Sequence, residues 1–314
     1  MKRALLLLSL ALVGGCGKEK PVDQDQEDAR QTLPEARRGF QTQLLREESG
    51  DEKPPRPPPS LFRLVRYDSP AGRLAAYVGQ APRDGKKRPA IVWLFGGFDS
   101  SISEVAWQRY PAKNDQSASP YRQAGIVMMY PSLRGGNDNP GHKEGFYGEV
   151  DDVLAAADFL AKQEGVDPDR IYLGGHSTGG TLALLVAAST DRFRAVFSFG
   201  PVHDIAGYDP NDLPFDVFRT REVQLRSPGR WLHSIRCPTF VFEGTEGDNN
   251  LVALQSMQQS STNALVRFHP VEGADHFSLL APLNRLIAVR ILKDDGATTN
   301  IAFTEGELGS LVRP

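Results

Sequence analysis

Gly175-His176-Ser177-Thr178-Gly179 is the stretch of this 314-residue sequence best equipped for covalent chemistry. The apolar run Ile171-Tyr172-Leu173 precedes it, and the helix-forming segment Thr178 to Ala188 follows. A serine on so sharp a strand-to-helix turn has its hydroxyl lifted clear of the sheet. Glycines are needed two positions to either side, because side chains there would strike neighbouring backbone. The helix that follows points its positive end at the same place. A small-residue packing site and a phosphate loop are the competing readings, and the second fails because no Gly-Lys-Ser/Thr follows. A serine hydroxyl is a weak nucleophile until a base accepts its proton. The site therefore needs a histidine, an acid to orient that histidine, and donors for a tetrahedral oxyanion.

On such a turn the acid and then the histidine follow the serine in chain order. Four histidines lie downstream: His203, His233, His269 and His276. His203 precedes any acid-bearing loop, His233 lies just before a strand, and His269 falls inside one, as a half-buried structural histidine would. His276, in Gly273-Ala274-Asp275-His276-Phe277, occupies a loop between a strand and a helix and is the expected base. The acid is expected after the strand Cys237 to Gly244. Asp248 is chosen as the residue furthest past the strand end; Glu246 is its rival and Glu243 a third candidate. Asp275 reads as a helix N-cap, since consecutive residues rarely aim their side chains at each other. The oxyanion donors expected are the backbone N–H groups of Thr178 and of Gly97, the latter in Phe95-Gly96-Gly97-Phe98. A plain tight turn is the other reading of that glycine pair.

These residues must be positioned by strands and helices in alternation. Pro89 to Phe95 and Gly125 to Pro131 are continuous apolar runs, as in strands buried on both faces. Val150, Val153, Leu154, Ala157 and Leu160 mark one face of a helix within residues 148–164. Further strands are expected in Phe193 to Gly200, Cys237 to Gly244 and Ala264 to Val271, and helices in Asn250 to Ser261 and Phe277 to Leu292. Leu61 to Gly79, interrupted by Asp68-Ser69-Pro70-Ala71-Gly72, reads as an antiparallel hairpin. The fold class is α/β: a mostly parallel central sheet with helices on both faces. Pro201 to Arg230 fits neither period and is expected to form a small lid. Residues 17–60 are polar, end in Lys53-Pro54-Pro55-Arg56-Pro57-Pro58-Pro59, and read as a disordered tether with at most a short helix within 29–47. The domain proper is residues 61–314.

The formal net charge of −3 gives no basic footprint for nucleic acid. Lys2 and Arg3 followed by the apolar run Ala4 to Val13 read as a secretory signal too short to span a bilayer. Val13-Gly14-Gly15-Cys16 is similar to a bacterial lipobox. It implies lipidation at Cys16, a membrane contact through that lipid, and a place in the cell envelope, with Lys18 favouring the outer membrane. Cys237, the other cysteine, is expected to be a buried small hydrophobe. Glu149, Asp151 and Asp152 suit a helix N-terminus better than a metal. No metal-ligand spacing occurs, and no cofactor is expected.

Together, Phe95-Gly96-Gly97-Phe98-Asp99-Ser100-Ser101, the Arg134-Gly135-Gly136 loop, residues 148–185 and Gly273 to Phe277 resemble the α/β-hydrolase superfamily. Within it they are similar to the catalytic domain of the prolyl oligopeptidase family. The resemblance spans roughly Leu61 to Leu292. It implies a serine hydrolase acting on a small ester or peptide substrate through an acyl-enzyme, with Arg134 bracing a loop near the site. Two departures stand out. The family's peptidases carry a β-propeller ahead of this domain, where about 40 polar residues stand here. They also place a tyrosine hydroxyl in the oxyanion hole, near the position of Phe95, which has no donor. A catalytically silent envelope binding module on the same fold is the reading from another class.

Overall fold

The computed structural model describes residues 28–82 and 84–311. Cys16 and the signal segment lie outside the described residues. Among the described residues no helix is long and apolar enough to cross a membrane.

The expected hairpin is present as β1 (Phe62–Ser69) and β2 (Gly72–Gly79), paired antiparallel with Ser69 opposite Gly72. It forms one edge of an eight-stranded sheet ordered β1-β2-β4-β3-β5-β6-β7-β8. The remaining strands are β3 (Arg88–Leu94), β4 (Val127–Pro131), β5 (Val166–His176), β6 (Val196–Phe199), β7 (Thr239–Gly244) and β8 (Val266–Val271). From β4 onward all pairings are parallel.

The apolar runs are continuous because both faces of the sheet are covered. In β3, Ile91 and Trp93 point into one core, with Tyr172, Leu283 and Ile287, while Val92 and Leu94 point into the other, with Val153, Leu173 and Leu182. This is the period of two expected of a strand. On the second face lie the helices Glu149–Ala161 and Thr178–Ala187; on the first lies Leu280–Leu292. Cys237 is a free, buried thiol, and burial pushes its pKa up to about 11.

Residues 28–60 correct the expectation of a disordered tether. They run along the domain as a strap. A short helix, Leu33–Arg37, begins at a capping box between Thr32 and Glu35, and Leu33 is fully buried. Arg37 donates to the carbonyls of Phe146, Tyr147 and Leu225, and Leu44 makes a β-bridge to Phe215. The segment has few apolar residues, so composition alone shows no reason for order. Its order comes from hydrogen bonds to groups more than a hundred residues away.

Residues 201–230 are irregular as expected, with single 3₁₀ turns and one short helix, Thr220–Gln224. Arg226 ties them to the strap. Its guanidinium is fully buried, 2.5 Å from Glu222 Oε2, and it also donates to Thr42 Oγ1 and the Glu144 carbonyl. It lies over the Phe215 ring at 4.1 Å. Glu222 in turn accepts from the Thr42 hydroxyl and the Gln43 backbone N–H.

Candidate active site

Ser177 stands where β5 ends and the helix Thr178–Ala187 begins. Its φ of +56° and ψ of −117° put a non-glycine residue in a sparsely populated region. Such a conformation costs of order 1–3 kcal/mol and persists only where the surroundings impose it. The surroundings here do. A Cβ on Gly175 would lie 2.3 Å from the Gly179 carbonyl oxygen, and one on Gly179 would lie 2.4 Å from that of Leu94. Both glycines of the motif are therefore sterically required, and the turn is locked between β3 and β5.

The Ser177 N–H donates to the Phe199 carbonyl at 2.7 Å, joining the turn to the end of β6. The next residue, Gly200, is packed against His276 so tightly that a Cβ there would lie 2.3 Å from Cε1 of the imidazole. His276 is thus packed at the end of β6, to which the Ser177 turn is also bonded, by the loop between β8 and the helix Leu280–Leu292. That loop is fixed by Asp275, whose carboxylate accepts from the N–H groups of Phe277 and Ser278. Asp275 thus holds the turn ahead of the helix and is not the N-cap expected of it, a position taken by Leu279. His269 lies in β8 among Phe240, Phe242 and Phe303, and burial lowers its pKa to about 4.

The acid at the imidazole is Glu243, not Asp248. Glu243 Oε2 lies 2.9 Å from His276 Nδ1, and its side chain is fully buried. The same oxygen accepts the Asn250 N–H at 2.9 Å, and Oε1 accepts the Gly244 N–H at 2.7 Å. Asp248 and Glu246 are exposed on the turn beyond. The reason is local. The backbone leaving β7 bonds back to the histidine loop, with Glu246 N–H on the Ala274 carbonyl at 2.9 Å. This draws the loop down over the strand end, so a residue still within the strand reaches the imidazole and residues further out do not. A signal existed in the sequence. Glu243 is an ionisable residue on the apolar strand Phe240-Val241-Phe242, and such a group is rarely buried unless paired.

Sequence reasoning also passed over His176. Its Nε2 is 2.9 Å from the His276 carbonyl oxygen, so Nε2 carries the proton and donates. Burial first, and then the neighbouring His276, push its pKa down to about 3. The ring therefore stays neutral, with its centroid 4.6 Å from that of His276.

Gly97, at φ +92°, and Thr178 are adjacent, for the Thr178 hydroxyl donates to the Gly97 carbonyl at 2.7 Å. From this pair a cavity opens, about 740 Å³ including its open mouth, walled by Phe98, Phe146, Leu182 and Pro214. Ser177 and His276 are not among its walls; it begins one residue away, at Thr178 and Gly97. Phe95 stacks on Tyr130 at 5.0 Å, and the Tyr130 hydroxyl donates to the Ser117 carbonyl. Arg134 braces the loop under the cavity: Nε and Nη2 bind Asp152 at 2.9 and 3.0 Å, and Nη1 binds Glu144 at 2.6 Å.

Residues 112–279 match the model of the prolyl oligopeptidase family (Peptidase_S9). Among curated relatives, the uncharacterized peptidase YuxL of Bacillus subtilis is 30% identical over 143 residues, 40% of this chain and 22% of its own length. The dual function macrocyclase-peptidase POPB of Galerina marginata is 33% identical over 124 residues, 37% of this chain and 16% of its own. The chain thus spans less than a quarter of the length of these relatives. Among solved structures, a puromycin-hydrolyzing peptidase of Mycobacterium tuberculosis superposes with a TM-score of 0.61 at 20% identity, over 78% of this chain and 41% of that one. The acylaminoacyl peptidase of Pyrococcus horikoshii gives 0.58 at 16% identity, over 79% of this chain and 44% of that one.

Proposed function

The chain belongs to the prolyl oligopeptidase family, and we propose that it is a serine hydrolase cleaving an ester or peptide bond through an acyl-enzyme. The observation that carries this reading is the 2.9 Å contact between His276 Nδ1 and the buried Glu243 carboxylate, together with a serine held at positive φ next in the chain to His176, which bonds the His276 carbonyl. In the mechanism, Glu243 fixes the tautomer of His276 with the proton on Nδ1, which leaves Nε2 free as the base. Ser177 Oγ attacks the substrate carbonyl carbon while His276 Nε2 takes its proton. The oxyanion that forms is held by the backbone N–H groups of Thr178 and Gly97. His276 then protonates the leaving group as the tetrahedral species collapses to the acyl-enzyme. Water, deprotonated by the same nitrogen, releases the acid and restores Ser177.

His276 becomes an imidazolium in this cycle, and the Glu243 carboxylate stabilises that charge. Phe95 and Tyr130 supply no free hydroxyl, so oxyanion stabilisation rests on backbone donors. The match to the prolyl oligopeptidase family supports a peptide or ester substrate. The test is hydrolysis of p-nitrophenyl acetate and of short peptidyl p-nitroanilides. Turnover by the folded protein that disappears in Ser177→Ala is the expected result; no turnover of either class by the wild-type protein contradicts the proposal.

A further inference from the structure

The cavity that opens at Gly97 and Thr178 contains a carboxylate that the proposed mechanism does not use. Glu149, the first residue of the helix Glu149–Ala161, lines the cavity and is 4% exposed. Its Oε1 accepts the Glu144 N–H at 2.6 Å, whereas Oε2 is buried and has no partner among the described residues. Burial raises its pKa, against the lowering effect of backbone N–H groups and of Arg134. Arg134 is the nearby cation, but its guanidinium is already engaged by Asp152 and Glu144. Attraction to the helix N-terminus accounts for a carboxylate at this position on a solvated face. It does not account for burying one oxygen without a donor, which is unfavourable for a charged group.

The rest of the cavity leans the same way. Its walls also carry Glu48, Asp99 and Asp212, against the single base Lys143. Glu48 pairs with Arg46 at 2.8 Å, and Lys143 lies 4.0 Å from Asp99. Among the described residues neither Glu149 nor Asp212 has an ion pair within 4 Å; Arg134, Arg37 and Arg226 act on Glu149 from further away. Between the oxyanion residues and Glu149 the walls are apolar, from Phe98, Phe146 and Leu182.

From this arrangement we infer that the cavity is a specificity pocket for a substrate group bearing an ammonium on a short hydrocarbon arm, with Glu149 Oε2 accepting its N–H. The inference rests on the hydrolase reading, since it assigns a substrate class to that same site. With the scissile carbonyl oxygen at Thr178 and Gly97, the arm lies against the aromatic walls and the ammonium meets the otherwise unpartnered oxygen. A neutral substrate of the same shape brings that oxygen no charge and at most one hydroxyl donor, which disfavours it.

The test compares n-pentylammonium with 1-pentanol, titrated calorimetrically into the full-length protein at pH 7.5 and low salt. The expected result is at least about tenfold tighter binding of the ammonium, falling below about threefold in Glu149→Gln. In the wild-type protein, ¹H–¹⁵N spectra should show the amides of Gly97, Gly145 and Thr178 shifting with the ammonium. Equal binding of the two ligands, a preference retained in folded Glu149→Gln, or shifts confined to another surface would each overturn the proposal. Should Glu149→Gln not fold, the wild-type ratio and the wild-type shifts decide. These titrations need no turnover. Failure of the hydrolase reading appears instead as absent p-nitrophenyl acetate cleavage, with the ammonium preference still measurable.

Discussion

Chemistry in this chain reduces to few side chains, and the sequence exposes them unevenly. Ser177 is legible because its glycines are required by contacts under 2.5 Å with neighbouring backbone. His276 is legible because a histidine in a strand-to-helix loop occupies a recognisable place in chain order. Glu243 is not, because the sequence does not state how far the histidine loop is drawn down over the end of β7. The choice of Asp248 assumed that the acid reaches across from the loop. The structure instead sets the imidazole directly over the strand. The two positions give opposed expectations for single amide substitutions. Glu243→Gln should lower kcat by about 10³–10⁴, since the neutral amide no longer holds the catalytic tautomer or stabilises the imidazolium. Asp248→Asn, on the exposed turn, should stay within about twofold. Steady-state kinetics on p-nitrophenyl acetate measures both, and a larger loss in Asp248→Asn would return the acid to the loop.

Among the elements, those of the sheet follow their sequence patterns closely. Continuous apolar runs became strands covered on both faces, and the spacing from Val150 to Leu160 became a helix on one of them. The strap of residues 28–60 and the irregular segment of residues 201–230 did not declare their relation, because it is made of polar pairs between distant segments. Arg226 and Glu222 are its centre, both almost wholly buried. Removing one partner of such a pair strands the other charge in a dry environment, at a cost of about 3–5 kcal/mol. Glu222→Ala should therefore lower Tm by on the order of 10 °C and make the chain between Thr42 and Arg230 more accessible to protease. Differential scanning fluorimetry with limited proteolysis checks this. A Tm within about 2 °C of wild type would mean that the strap and residues 201–230 hold together without the pair.

Across the whole molecule, the C-terminal region is tied to the middle strands of the sheet through Asp294. This buried carboxylate accepts from Arg194 Nε and Nη2, both at 2.8 Å, from the Tyr172 hydroxyl at 2.7 Å and from Thr299. Burial raises its pKa, but the bonds to Arg194, Tyr172, Thr299 and the Asn300 N–H outweigh it and hold the group at about 2. A folded pKa below the unfolded one gives stability that is complete above about pH 4 and is lost as pH falls toward 2. Its size is on the order of 1–2 kcal/mol. Asp294→Asn should lower stability to denaturant at pH 7 and flatten the fall in stability between pH 4 and 2. An unchanged acid limb would show that other carboxylates govern it. The composition says nothing of this tie, which depends on residues 122 positions apart in the chain.

The central claim, that Ser177 is a nucleophile activated by His276, is tested most directly by labelling with a fluorophosphonate probe and locating the adduct by peptide mass spectrometry. A single adduct on Ser177 is predicted, lost in Ser177→Ala and strongly slowed in His276→Ala. A folded wild-type protein that takes no label, or takes it on a residue other than Ser177, would contradict the account.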